Sequence, residues 1–123
     1  MAKRSAGDPR ILIPELLEAL SKAPAHTPPA LRQAIQARSA AGVGSAARES
    51  VEIPAELYDL VDKVANRPTE VTDEDFAVLS ARGYTLDQLF DIVLAASLGA
   101  SHARLRSGLD ALDLAVARTA KET

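Results

Sequence analysis

The sequence predicts an all-α protein, a bundle of about five helices in which the last is long and central. Three observations lead there. Aromatic residues make up 3% of the 123-residue chain and tryptophan is absent, although 47% of the residues are hydrophobic. That bias toward small and straight side chains favours closely packed helices over strands rich in Val, Ile and Tyr. Apolar residues recur at i, i+3, i+4 and i+7 in several segments, which is the stripe of a helix with one buried face. Between these segments stand residues suited to start or stop a helix.

A first helix is expected from Pro14 to about Lys22, because proline at a first helical position has its φ already set and lacks only an N–H that would be unpaired there. Ile13, Leu16, Leu17 and Leu20 fall on one of its faces. Ala23 to Pro29 contains three prolines and ends the pattern, after which Thr27 is expected to cap a second helix from Pro28 to Ala41. Gly42 is its expected stop, and residues 42–50, small and polar, read as a mobile connection. A third helix is expected to start at Pro54, bury Leu57, Leu60, Val61 and Val64, and stop before Pro68, since a residue preceding proline avoids helical φ/ψ.

Thr72 followed by Asp75 predicts a capping-box start for a short helix from Asp73 to Arg82, with Asp73, Glu74 and Asp75 at its positive end. Gly83 stands where a left-handed residue is wanted. Thr85 with Gln88 predicts a second capping box. The last helix should run from Leu86 to about Arg118. From Ile92 to Ser101 it carries no charge on any face, as expected of a helix surrounded by others. Ala96, Gly99, Ala100 and Ala103 allow a neighbouring backbone to come close, either within the subunit or at an oligomeric contact. Leu105, Leu109, Leu112 and Val116 continue the stripe, and the tail that carries them is expected to dock along a partner helix.

Residues 1–8 read as a flexible leader and 9–123 as a single domain. The formal charge of −3, with no long basic run, lacks the footprint of a nucleic-acid binder. No apolar run reaches the length needed to span a bilayer and no signal-peptide core follows the first residues, so a cytoplasmic location is expected. With no cysteine and only two histidines, His26 and His102, far apart, neither a disulfide nor a thiolate or zinc centre is expected. No cofactor is expected either.

The block from Ile53 to Leu112, and within it VTDEDFAVLSARGYTLDQLFDIVLAASLGA, resembles the C-terminal half of the AhpD-like family, the alkylhydroperoxidase and carboxymuconolactone decarboxylase group. The resemblance covers about half of the chain and implies an AhpD-like helical bundle that assembles through its helices. Peroxidases of that family use an E-x-x-C-x-x-C-x-x-x-H motif in which carboxylate and imidazole relay protons to and from a thiol pair. This chain has no cysteine, and His26 lies in the proline-rich connection without a matching Glu. Thiol peroxidase activity is therefore excluded and no catalytic residue carries over.

Decarboxylase members act without cysteine, which leaves acid/base chemistry at His102 beside a carboxylate as an enzymatic possibility. His102 is the one weak catalytic candidate; a boundary residue with its tip in water accounts for it more simply. His26 has less to offer. Glu70, Asp73, Glu74 and Asp75 are explained by the helix start they occupy, and Glu52, Glu56 and Asp59 by a solvated face. Gly42-Val43-Gly44 lacks the strand and the Lys-Ser/Thr of a phosphate loop. Ser97 and Ser101 are one turn apart, but His102 is adjacent in sequence and not on their face, so no Ser-His dyad follows. Tyr58 and Tyr84 read as amphipathic boundary residues.

Two readings of function emerge. In the first, the chain is a non-catalytic binding or structural subunit with an AhpD-like fold, working as a homo-oligomer or as a hetero-oligomer with a thiol-bearing relative. In the second, it is a cysteine-independent decarboxylase-type enzyme acting on a small organic acid or lactone, with His102 in a pocket between helices or subunits.

Overall fold

A computed structural model describes residues 8–41 and 51–122. The expectations for the leader and for the connection 42–50, including the Gly42 stop, lie outside the described residues, apart from Asp8. Five α-helices follow in order: α1 Pro9–Lys22, α2 Pro29–Ala40, α3 Tyr58–Asn66, α4 Asp73–Ala81 and α5 Leu86–Glu122. Two short 3-10 turns, Ala55–Leu57 and Pro68–Glu70, precede α3 and α4. No strand occurs among the described residues.

The first half of α5 is packed by other helices on one side, and its other side leaves Phe90 and Leu94 exposed. It packs chiefly on α2 and α3, with α1 against both α2 and α5. The core joins Ile35 of α2, Leu57, Leu60 and Val61 from the α3 region, Leu79 of α4, and Leu89, Ile92, Ala95 and Ala96 of α5. Gly99 permits the closest approach. A Cβ there would strike the Gln36 carbonyl oxygen and stand 2.8 Å from the Gln36 Cα, so α2 and α5 touch backbone to backbone at this point. The small-residue face of α5 is thus used inside the subunit.

Three helix starts differ from the sequence expectation. Helix α1 begins at Pro9, with the N–H groups of Ile11 and Leu12 donating to the Asp8 carbonyl; Pro9 takes the first-turn place assigned to Pro14, which lies inside the helix. Thr27 does not cap α2. Pro28 holds the N-cap position without a side-chain hydrogen bond, and the Thr27 hydroxyl is turned instead to Asp91 Oδ2 at 3.0 Å. The third helix opens with the 3-10 turn, so its α-helical part starts at Tyr58 and not at Pro54.

The signals around α4 act as their local chemistry requires. The Thr72 N–H donates to Asp75 Oδ2 at 2.8 Å. Gly83 has φ +102°, and beside it the N–H of Gly83 reaches the Ser80 carbonyl while that of Tyr84 reaches Leu79, the paired bonds of a Schellman stop. The Thr85 N–H donates to Gln88 Oε1 at 3.0 Å and the Gln88 N–H returns to the Thr85 hydroxyl at 3.1 Å. Helix α5 then runs four residues beyond the expected end at Arg118.

Ion pairs tie the layers together. Arg38 and Asp62 form a two-pronged pair, with Nε to Oδ1 and Nη2 to Oδ2 both at 3.2 Å, and the Arg38 guanidinium lies 4.2 Å from the centre of the Tyr58 ring. The Arg38 side chain is only 3% exposed. Lys63 bridges Asp75 at 2.9 Å and Asp59 at 3.3 Å, joining α3 to the start of α4. Arg104 of α5 donates to the Ala65 carbonyl at the end of α3.

Candidate functional site

Two regions are candidates: a cleft around His102 and the projecting half of α5. The cleft, of about 610 Å³, lies where α1 crosses α2 and α5, and is lined by Leu17 and Glu18 of α1, Gln33 and Ala37 of α2, and Gly99 and His102 of α5. It exists because Gly99 brings α5 onto α2 and leaves α1 to span the gap. His102 is half-buried. The acidic residue that shares this lining is Glu18, whose carboxylate accepts from Lys22 Nζ at 2.7 Å. The hydrogen bond and charge of Lys22 hold the Glu18 carboxyl below its ordinary value, so Glu18 is an ionised partner of an ammonium group and not a shared-proton acid. Arg104, the other group considered beside His102, is engaged with Ala65.

The remaining candidates are separated. His26 is exposed in the α1–α2 connection, its Nε2 3.9 Å from Asp87 Oδ2. Glu70, Asp73 and Glu74 are exposed at the start of α4. Asp75 caps that helix and pairs with Lys63; the Lys63 hydrogen bond, then the Thr72 N–H, lower its pKa. Glu52 is exposed. Glu56 accepts from the Tyr84 hydroxyl at 2.9 Å, and its pKa is lowered by a bond to its own backbone and by that hydroxyl, while burial and Glu56 raise that of Tyr84. Ser97 is half-buried and Ser101 exposed. Gly42-Val43-Gly44 lies outside the described residues. Among the described residues no group of three His, Asp or Glu side chains could hold a metal ion, and no helix is long and apolar enough to cross a membrane.

Asp91 is the residue that sequence reasoning passed over. It is buried at 8% exposure and accepts from the His26 backbone N–H at 2.9 Å and the Thr27 hydroxyl at 3.0 Å. Its task is to fasten the proline-rich connection to α5, with Gln88 reaching the His26 carbonyl at 3.4 Å alongside. The place of Asp91 just ahead of the uncharged run was a signal: a carboxylate on the buried side of a helix requires donors from another segment.

The second region begins where the bundle ends. Beyond Arg104 helix α5 continues to Glu122, about 27 Å at the usual rise, and all of its residues there are exposed apart from half-buried Leu109. Leu105, Leu112, Leu114 and Val116 are among the exposed large apolar side chains, Val116 at 59%. A further apolar hollow of about 480 Å³ lies on the bundle itself between Phe76 of α4 and Leu86, Leu89, Phe90 and Val93 of α5.

Comparisons with protein-family models, with curated proteins and with solved structures find no match to this chain.

Proposed function

We propose that this protein is a non-catalytic interaction subunit that offers the projecting half of α5 to another polypeptide. The observation that carries this reading is that one uninterrupted helix is packed against the bundle in its first half and bare in its second, with an apolar stripe running the length of the bare part. An isolated helix of that length is marginal in water and gains most of its stability from packing an amphipathic face. A stripe of leucine and valine held away from the core is suited to a partner helix. The AhpD-like kinship is proposed with it, on the Ile53 to Leu112 block alone, and so is a homo-oligomeric or hetero-oligomeric working state.

The test is recovery of bound proteins, including further copies of the chain, from the native cell by the wild type and by a Leu109→Glu/Leu112→Glu variant. A stoichiometric partner lost from the variant supports the reading. Identical recovery and identical solution mass for both proteins would contradict it.

A cysteine-independent enzyme of decarboxylase type is favoured by one observation, that His102 lines a cleft which Glu18 also lines. Titrating small organic acids and lactones against the wild type, with His102→Ala as control, tests it. Turnover or saturable binding lost in the variant would raise this reading above the first.

A further inference from the structure

Helix α5 carries, from its packed part into its bare half, a pattern that matches itself when reversed. Leu98, His102, Leu105, Leu109, Leu112, Val116 and Thr119 follow one another at alternating spacings of four and three, the seam of a two-helix coiled coil. Arg106 follows Leu105 and Asp113 follows Leu112 along one flank of the seam. Gly108 precedes Leu109 and Ala115 precedes Val116 along the other.

From this geometry we propose that the partner of α5 is a second copy of the same chain, its α5 running antiparallel about a two-fold axis between residues 110 and 111. The proposal rests on the interaction-subunit reading above and names the partner for that surface. In this one register Leu109 lies level with Leu112 of the second copy, and Leu105 with Val116 of the second copy. His102 then meets Thr119 of the second copy in a polar layer at the mouth of the cleft. The same register places Arg106 opposite Asp113 of the second copy, and by symmetry the reverse, so both flanking pairs are attractive. On the other flank Gly108 meets Ala115 of the second copy. A Cβ on Gly108 has nothing within 4 Å in the single chain, so the place is open for a close neighbour.

Two-fold symmetry requires each patch to complement itself. A seam evolved for an unrelated helix has no reason to satisfy apolar layers, charges and small residues in a single reversed register. A parallel pair would not set Arg106 against Asp113, because in parallel coils each flank faces the opposite flank of the neighbour. The contact is on the order of 1,000 Å², near the lower edge of stable interfaces, so association should depend on concentration.

The experiment exploits the charges. Arg106→Asp places like charges in both flanking pairs, and so does Asp113→Arg. Each alone should weaken dimerisation by about tenfold or more, measured by sedimentation or light scattering. An equimolar mixture of the two variants restores attraction in both pairs and should dimerise as the wild type does, as should the variant carrying both changes. Because the chain has no cysteine, Leu105→Cys and Val116→Cys proteins give an orientation readout: mixed, they should form a disulfide-linked heterodimer under mild oxidation, and neither should link efficiently to itself. All these positions are exposed on the bare half, and unchanged circular dichroism checks the fold.

Self-linkage of each cysteine variant without the mixed product, or dimerisation indifferent to the charge changes, overturns the proposal. So does a wild type that stays monomeric at about 0.5 mM, where even weak pairs associate. In that last case a different protein lost from the Leu109→Glu/Leu112→Glu variant would still uphold the interaction-subunit reading, and its absence would remove both.

Discussion

Helix α5 is two regions on one backbone. From Leu89 to Ala100 it buries Leu89, Asp91, Ile92, Ala95, Ala96, Gly99 and Ala100; from 110 to 122 every residue is exposed. Both halves are rich in alanine and leucine, so helix propensity does not separate them. What separates them is packing: the first half has α2 and α3 against it, whereas residues 110–122 stay exposed. A helical stripe therefore reports an apolar face, and only packing says whether the chain itself covers it.

The largest contrast should come from the Arg38–Asp62 pair against the flanking charges of the bare half. Asp62→Ala leaves the buried Arg38 guanidinium without its carboxylate and should cost about 3–5 kcal/mol, read as a lowered denaturant midpoint. Asp110→Ala, on the exposed half, should change that midpoint by less than about 0.5 kcal/mol.

Glycine gives the next contrast, with opposite signs. Gly99→Ala drives a methyl group into the Gln36 backbone and should destabilise by about 3 kcal/mol. Gly108→Ala meets open space and should stabilise the helix by about 0.5–1 kcal/mol. Thermal melts of the two variants decide it; equal effects would mean that α5 does not touch α2 at Gly99. Asp91→Ala, which strands the Thr27 hydroxyl and the His26 N–H, should cost about 1–3 kcal/mol and speed proteolysis in the 23–28 connection.

The smallest effect is a pH dependence carried by the Asp75–Lys63 pair. Asp75 titrates below its ordinary value near 3.8, held down first by Lys63, so its contribution is complete above that value and is lost as pH falls through the lowered pKa. Lys63 titrates above its ordinary 10.5, raised first by Asp75; its contribution is complete below 10.5 and is lost as pH rises through the raised pKa. Asp75→Asn should flatten the acid limb of a midpoint-against-pH curve and reduce the alkaline limb.

Much of this fold was legible because its punctuation is local. The Thr85–Gln88 box, the Gly83 turn and the stop at Pro68 depend on residues within a few positions, and each lies where the sequence placed it. Thr27 was misread for the opposite reason. It had the look of a cap, but its hydroxyl answers Asp91, 64 residues away, and no local pattern announces that pairing. The Arg38–Asp62 pair and the His102 cleft are also products of assembly: three helices must meet before Glu18 and His102 line one space. The stripe of the bare half was visible throughout, and the reversed register in its charges appears once the helix is known to run unbroken to Glu122.

Residue-resolved hydrogen exchange across α5, at low and high protein concentration, tests the central claim most directly. Amides in 89–100 should be strongly protected at both concentrations, and those in 105–122 weakly protected when dilute and markedly more so when concentrated. Equal, concentration-independent protection of both halves would contradict it, because the projecting helix would then need no partner to hold it.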